Sequence, residues 1–298
     1  MFDYLTFDYF FDVNQRIYYG YVMMAFFIAF VFFRKSLKKQ FSREVLWHKS
    51  ARLDYLYFIV SGVLKVAIIL PLLIGVNEVT LWVVLRLNEY FGYISRIRVS
   101  KEILLLSYTL VLFAVSDLSR YWLHRLMHSV PILWRFHRVH HSAEVLNPLT
   151  FYRVHPLENI LFGLRYVLVT GVITAIYIYF FGAGIRAVEF LGANILVFVF
   201  SMIGSNLRHS HIPLSYGVKL EKWFISPLQH QLHHTKIYTH RNFGSYLAIW
   251  DRWFGTLTLG KAKSSKILDF GLPIKERERV THSLLGAFLN PFIKGIKL

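Results

Sequence analysis

"QHQLHH", residues 229–234, places three histidines within five positions, and "HRVHH", residues 137–141, carries the same spacing about 90 residues earlier. With 14 histidines in 298 residues, composition alone produces one H-x-x-H-H roughly 0.03 times per chain. Two such motifs are therefore not an accident of composition. Positions i, i+3 and i+4 share one face of a helix, so each motif presents three imidazoles together. His124 and His128 in "HRLMH" add a pair at i, i+4. Pro131 separates that pair from the helix that carries His137, His140 and His141. Ser226-Pro227 supplies an N-cap and a first-turn residue for the helix that carries His230, His233 and His234.

The surrounding chain is apolar. Hydrophobic residues make up 55% and aromatics 17%, and the mean hydropathy is +0.43, which points away from a soluble domain. There is no cysteine, which excludes disulfides, thiolate metal sites and thiol nucleophiles. The formal charge of +17 does not indicate nucleic acid, because the basic residues flank hydrophobic runs as cytoplasmic membrane faces do. The N-terminal "MFDYLTFDYFFDVNQR" is acidic where a signal peptide is basic, so no cleaved leader is expected.

Four or five runs approach the ~20 residues of a spanning helix. They are Ile17 to Phe33, Tyr55 to Gly75, a segment starting at Ile103, Ile160 to Phe181, and Ala187 to Gly204. The last two are joined by "GAGIR" and read as a helical hairpin, while Thr80 to Ile94 reads as an interfacial helix. Asp3, Asp8 and Asp12 before the first run, and the basic stretch Arg34 to Arg52 after it, put the N-terminus outside. Residues 119–158 and those after about 205 then face the cytoplasm, although Arg86, Arg96, Arg98 and Lys101 fall on the outer side. The expected fold is all-α: a polytopic membrane protein of four to five transmembrane helices with a cytoplasmic helical cap holding a dimetal site. The segments are N-terminal transmembrane and interfacial helices over 1–102, a catalytic domain over 103–260 and a basic tail over 261–298, surface-lying or docking.

Twelve of the 14 histidines lie between residues 124 and 240, in the polar caps rather than the membrane runs. Imidazole suits Zn, Cu, Fe and Ni, and eight motif histidines are too many for one ion, so two metals are the natural count. The chain contains no Glu-x-x-His and no His-Glu-x-x-His, which disfavours a carboxylate-bridged bundle and a zincin-type hydrolase. Asp117, Glu144 and Glu158 lie beside the motifs as acceptors for the ligands' free N–H groups, or as caps and partners of Arg120, Arg138 or Arg153.

The order H-x-x-x-H, H-x-x-H-H, H-x-x-H-H among membrane runs resembles the fatty acid hydroxylase / sterol desaturase superfamily. So do "SDLSRYWLHRLMH", "RFHRVHHSAEVLNPLTFYRVHPLE", "SNLRHSHIPL" and "RNFGSYLAIWDRWFGTL". The resemblance covers roughly Ser116 to Thr258, about half the chain. It implies two irons, replaceable by zinc on purification, that activate O2 to hydroxylate or desaturate a lipid C–H bond. The substrate class is a fatty acyl, sterol, carotenoid or ether lipid. A separate donor (ferredoxin, cytochrome or reductase) supplies the electrons, and a bacterial inner membrane is the implied location. His124, His128, His137, His140, His141, His230, His233 and His234 carry over as ligands. The ninth comes from "NLRHSHIP", His209 ahead of His211, with His155, His240 and Asp117 in a second tier. No catalytic residue is assigned beyond the metal ligands.

Other classes fit less well. A histidine-lined metal or proton transporter places its ionisable groups at the membrane midplane, not at the caps. A b-type cytochrome needs histidine pairs on facing spanning helices. A non-catalytic metal-binding member of the same family would not need all eight motif histidines intact.

Overall fold

The computed structural model describes residues 8–64, 75–191, 193–260, 268–273, 276 and 283–293. Its helices up to residue 181 are α1 (Tyr19–Phe32), α2 (Arg34–Gln40), α3 (Arg43–Leu46), α4 (Lys49–Leu64), α5 (Val76–Phe91), α6 (Lys101–Ser129), α7 (Pro131–His141) and α8 (Pro156–Phe181). Beyond it come α9 (Ile195–Met202), α10 (Gly217–Leu220), α11 (Pro227–His233), α12 (Ile249–Trp253) and α13 (Leu284–Leu289), none longer than eight residues. The only strands among the described residues are β1 (Glu189–Phe190) and β2 (Ala193–Asn194), an antiparallel pair.

α6 and α8 are long and apolar enough to cross a membrane. Only 17% and 22% of their apolar stretches are buried within the chain, whereas the core helix of a soluble protein is covered on most sides. Ser100 starts α6 by accepting a hydrogen bond from the Ile103 N–H, and no proline or glycine interrupts it before Pro131. The helix therefore carries its apolar N-terminal half straight into the segment holding His124 and His128. α8 begins at Pro156, with the His155 ring accepting from the Leu157 N–H as its cap. The C-terminal end of α6 and the N-terminal end of α8 thus meet at one end of the pair, and α7 packs between them.

The sequence expectations need three corrections. Ala187 to Gly204 is no spanning helix: it folds as the β1–β2 ribbon followed by α9, which has only eight residues. At about 1.5 Å per residue, eight residues fall far short of a bilayer. Gly182 and Gly184, both at positive φ, end α8, and Leu191 turns the ribbon at φ 53°. Thr80 to Ile94, read as interfacial, instead runs beside α8. Thr80 Oγ1 donates to the Gly171 carbonyl, and Tyr179 donates its hydroxyl to the Gly92 carbonyl. Gly171 makes that approach possible, since a Cβ there would come within 2.7 Å of Val79. The tail is no separate surface segment where it is described. Phe270 and Leu272 are buried, and α13 packs Phe288 flat on Tyr57. Residues 65–74 of the second apolar run lie outside the described residues.

The N-terminal helices close over the histidine end. Ala25 and Ala29 of α1 pack on Leu207 and Ile212. The basic stretch is fixed there by Gln40, which donates to the Leu146 carbonyl and accepts from the His211 N–H. Asp54 on α4 is fully buried and pairs with fully buried Arg153, while Asn147 and Thr150 donate to its other oxygen. Arg153 also donates to Ser50 and Ser142. Removing one charge of such a pair strands the other in a dry interior, at a cost of about 3–5 kcal/mol. Asp54→Asn should therefore lower the thermal-unfolding midpoint of the detergent-solubilised protein by roughly 6 °C or more. A midpoint within a degree of wild type would show that the pair does not anchor α4.

Candidate metal centre

Nine buried or half-buried histidines gather at the closed end of the helix pair, in two groups. One contains His124, His128, His137, His141 and His233; the other contains His140, His209, His230 and His234. Within each group the candidate ligand nitrogens lie within 4.8 Å of one another.

Helix geometry explains why the motif occurs twice. Neighbouring residues on a helix point about 100° apart, whereas i and i+4 nearly align. In α7 the outer pair, His137 and His141, joins the first group, and His140 turns to the second. In the α11 motif the outer pair, His230 and His234, joins the second group, and His233 crosses to the first. Each motif thus gives two imidazoles to one group and one to the other. α6 adds the His124–His128 pair to the first group, and His209 adds one ring to the second. The groups touch at a stacked His141–His234 pair, centroids 4.6 Å apart.

Local signals set these helices. Ser226 and Gln229 form a capping box at the start of α11, with Pro227 at the first helical position. Pro131 opens α7. His209 ends a 3-10 turn, Ser205–His209, entered through Gly204 at φ 95°.

Three ring tautomers of the first group are fixed from outside. His124 Nδ1 donates to the Phe243 carbonyl at 2.8 Å, and His233 Nδ1 to the Arg241 carbonyl at 2.6 Å. His137 Nδ1 lies 2.9 Å from the Glu158 carboxylate. A carbonyl only accepts, so those Nδ1 atoms carry the hydrogens and the Nε2 lone pairs face inward. His124 Nε2 then sits 3.1 Å from both His137 Nε2 and His233 Nε2. His209 Nε2 lies 3.3, 3.1 and 3.2 Å from the Nε2 atoms of His140, His234 and His230. Converging lone pairs repel unless a cation lies between them. Two nitrogens bound to one metal at about 2.1 Å stand about 3.0 Å apart at a right angle and about 3.4 Å at a tetrahedral angle. The observed spacings fall in that range, so the residues fit a metal in each group.

Burial keeps the imidazoles neutral, the state that binds metal. It pushes His137 and His140 down to about 3 and holds His141, His209, His230, His233 and His234 well below the ordinary histidine value. Both nitrogens of His128 and of His141 lack a hydrogen-bond partner among the described residues. A buried imidazole with neither nitrogen engaged is costly unless something else takes a lone pair.

The second-tier residues fall outside both groups. Asp117 does not reach the histidines: its oxygens accept from the Tyr246 and Leu247 N–H groups and from the Trp250 indole. It holds the 246–250 segment in place. His155 caps α8 and meets the Phe288 carbonyl. His211 accepts from the Leu146 N–H. His240 is exposed, its ring 5.5 Å from that of His128. Of the neighbouring acids, Glu158 touches a histidine of the two groups, His137. Glu144 instead lies 4.0 Å from His48.

The backbone acceptors in "RNFG" escaped the sequence reading. Asn242 at φ 58° bonds the Gln229 carbonyl, and Asp251 accepts from the Phe243 and Gly244 N–H groups. That pinned loop aims the Arg241 and Phe243 carbonyls at the rings. The Asn in a left-handed turn was its one sequence signal.

A cavity of about 340 Å³ borders both groups. His124 and His137 of the first and His140, His209 and His230 of the second lie on its wall, with aromatic residues from four other segments.

The chain is similar to known proteins over this region. The fatty acid hydroxylase family model matches residues 109–256. An ornithine lipid hydroxylase of Rhizobium tropici is 30% identical over 183 residues, 60% of this chain and 48% of the relative. A Delta(7)-sterol 5(6)-desaturase of Aspergillus fumigatus is 27% identical over 165 residues, 50% and 47% of the two chains. An alkylglycerol monooxygenase of Danio rerio is 28% identical over 162 residues, 52% of this chain and 31% of the relative. This chain belongs to the fatty acid hydroxylase / sterol desaturase superfamily. These relatives are, by name, oxidoreductases of lipids, and the chain spans about half their length or less. No solved structure matches it.

Glu158 is the one carboxylate that bonds a ligand-candidate ring among the described residues, and such partners are worth about 10–100-fold in metal affinity. Glu158→Gln should weaken one of two metal-binding events by about tenfold or more in a chelator competition. Unchanged affinities would remove Glu158 from the support of the site.

Proposed function

We propose that this chain is a membrane-bound di-iron oxygenase that uses O2 and external electrons to hydroxylate or desaturate a lipid C–H bond. The observation that carries this reading is the sorting of nine histidines into two contiguous groups, five of whose rings line one cavity. His124, His128, His137, His141 and His233 hold one iron, and His140, His209, His230 and His234 hold the other. Zinc fills the same imidazole sites in a purified preparation when iron is scarce.

When bound, the iron pair supplies O2 activation and the two-electron oxidation of a C–H bond. Hydroxylation consumes O2, two electrons and two protons and releases one water with the alcohol; desaturation releases two waters with the alkene. The chain's residues fix the irons, exclude bulk water and orient the lipid. The second group would hold its ion with four rings against five in the first, and three of those four, His140, His209 and His230, border the cavity. Electrons come from a separate ferredoxin, cytochrome or reductase.

The placement of the site supports a membrane setting. α6 and α8 bring it to one end of the apolar pair, and α2, α3 and the start of α4 pack there with Arg34, Lys35, Lys38, Lys39, Arg43 and Arg52. A basic cluster at the histidine end favours a cytoplasmic active site, in a bacterial inner membrane. Exposed phenylalanines of α1, including Phe26, Phe27 and Phe30, add to the lipid-facing surface.

The test is turnover under labelled oxygen. Iron-loaded protein with a chemical reductant and membrane lipid extract should put one atom of 18O2 into a lipid alcohol, or yield a lipid alkene, seen by mass spectrometry. His140→Ala and His233→Ala should each abolish the product while the helical circular dichroism is retained. Product formation in both variants would overturn the ligand assignment, and no product from iron-loaded wild type would overturn the activity.

A further inference from the structure

The wall of the cavity that the histidines leave free is cationic. Arg16, Arg120 and Arg208 all border it, and their guanidinium carbons lie 5.6, 5.9 and 5.7 Å from the centroid of the Tyr246 ring. Arg208 is only 4% exposed, and its Nε and Nη2 have no hydrogen-bond partner among the described residues. Arg16 donates to the Ser205 hydroxyl and lies over Phe151, without an ion-pair partner among the described residues.

Local carboxylates do not balance this charge. Asp117 is in electrostatic reach of Arg120 and Arg208, but its oxygens are committed to the 246–250 segment. Glu158 borders the cavity with one oxygen bonded to His137. A buried guanidinium with two idle donor atoms is expensive unless something accepts from it. A planar fork of donors matches a carboxylate or phosphate. A second stretch of the same wall is aromatic: Tyr9, Phe58 and Tyr152 contact one another edge to face. One cavity thus offers an oxyanion site, an apolar wall and the histidine groups.

We propose that Arg208, with Arg16 and Arg120, binds the oxyanion headgroup of the substrate, so that the lipid is an anionic amphiphile carrying a carboxylate or phosphate. This rests on the lipid-oxidising reading above. Sterols and unmodified ether lipids with only a hydroxyl head are then poor occupants.

The experiment measures binding, which needs no turnover. Full-length protein in an uncharged maltoside detergent is titrated with three probes of equal chain length: tetradecanoate, tetradecyl phosphate and tetradecanol, above the pH at which the acids ionise. At least one anionic probe should bind ten times or more tightly than the alcohol. R208Q should bring that ratio close to one with the alcohol's Kd unchanged, and R208K should keep part of it. Should R208Q fail to fold, R16Q at a half-buried position carries the test and should lower the ratio at least threefold. A carboxylate preference identifies an acid headgroup, and a phosphate preference a phospholipid-type one. Equal binding of alcohol and anions to wild type, or full discrimination surviving in both variants, would overturn the proposal. A chain that binds no metal could still pass this test, and a fully active one could fail it.

Discussion

Imidazole lone pairs held about 3 Å apart repel, and much of this fold serves to hold them there. His124 Nε2 faces His137 Nε2 and His233 Nε2 at 3.1 Å, and His209 Nε2 faces three further rings at 3.1–3.3 Å. Four segments meet at that point: the end of α6, α7, the 205–209 turn and α11. Moving α7 or α11 by a turn would pull rings out of both groups, and moving the end of α6 or the 205–209 turn would pull rings out of one. The two H-x-x-H-H helices exchange their middle ring, so each half of the centre is built from both helices. A change at either helix therefore reaches both candidate metal sites.

Around the rings lies a shell that is fixed before any ion binds. The 241–251 loop is pinned through Asn242 and Asp251, and it aims two carbonyls at His124 and His233. Glu158 does the same for His137 from α8. Preset Nδ1–H groups mean that the Nε2 atoms are already turned inward, so binding costs little ring reorganisation. The second group lacks such acceptors: the Nδ1 atoms of His140, His230 and His234 have no partner among the described residues. The looser group is also the one with four rings.

The helical spacing of the histidines was legible because i, i+3 and i+4 is a local rule, and so was the Ser226-Pro227 start of α11. The position of His209 was legible through resemblance alone; its ring reaches the second group while His211 turns away to Leu146. Which ring joins which group could not be read, because it depends on how α7 and α11 cross. Asp117 misled for a related reason. It stands two turns before His124, yet its oxygens face the 246–250 segment, a contact 129 residues or more distant in sequence. The fifth apolar run misled because hydropathy does not register Gly182, Gly184 and the turn at Leu191. The Asp54–Arg153 pair and the arginines around Tyr246 join residues far apart in the chain, so no periodicity announced them.

The division of nine histidines into groups of five and four is most directly tested by metal stoichiometry in group-specific variants. Protein from 57Fe-grown cells is assayed for iron per chain, with Mössbauer spectra, as wild type, as H128A/H141A and as H209A/H230A. Two irons per wild-type chain in a coupled pair, and one uncoupled iron in each double variant, is the predicted result. Two irons retained in both double variants, or fewer than one iron in every preparation after reconstitution, would contradict it.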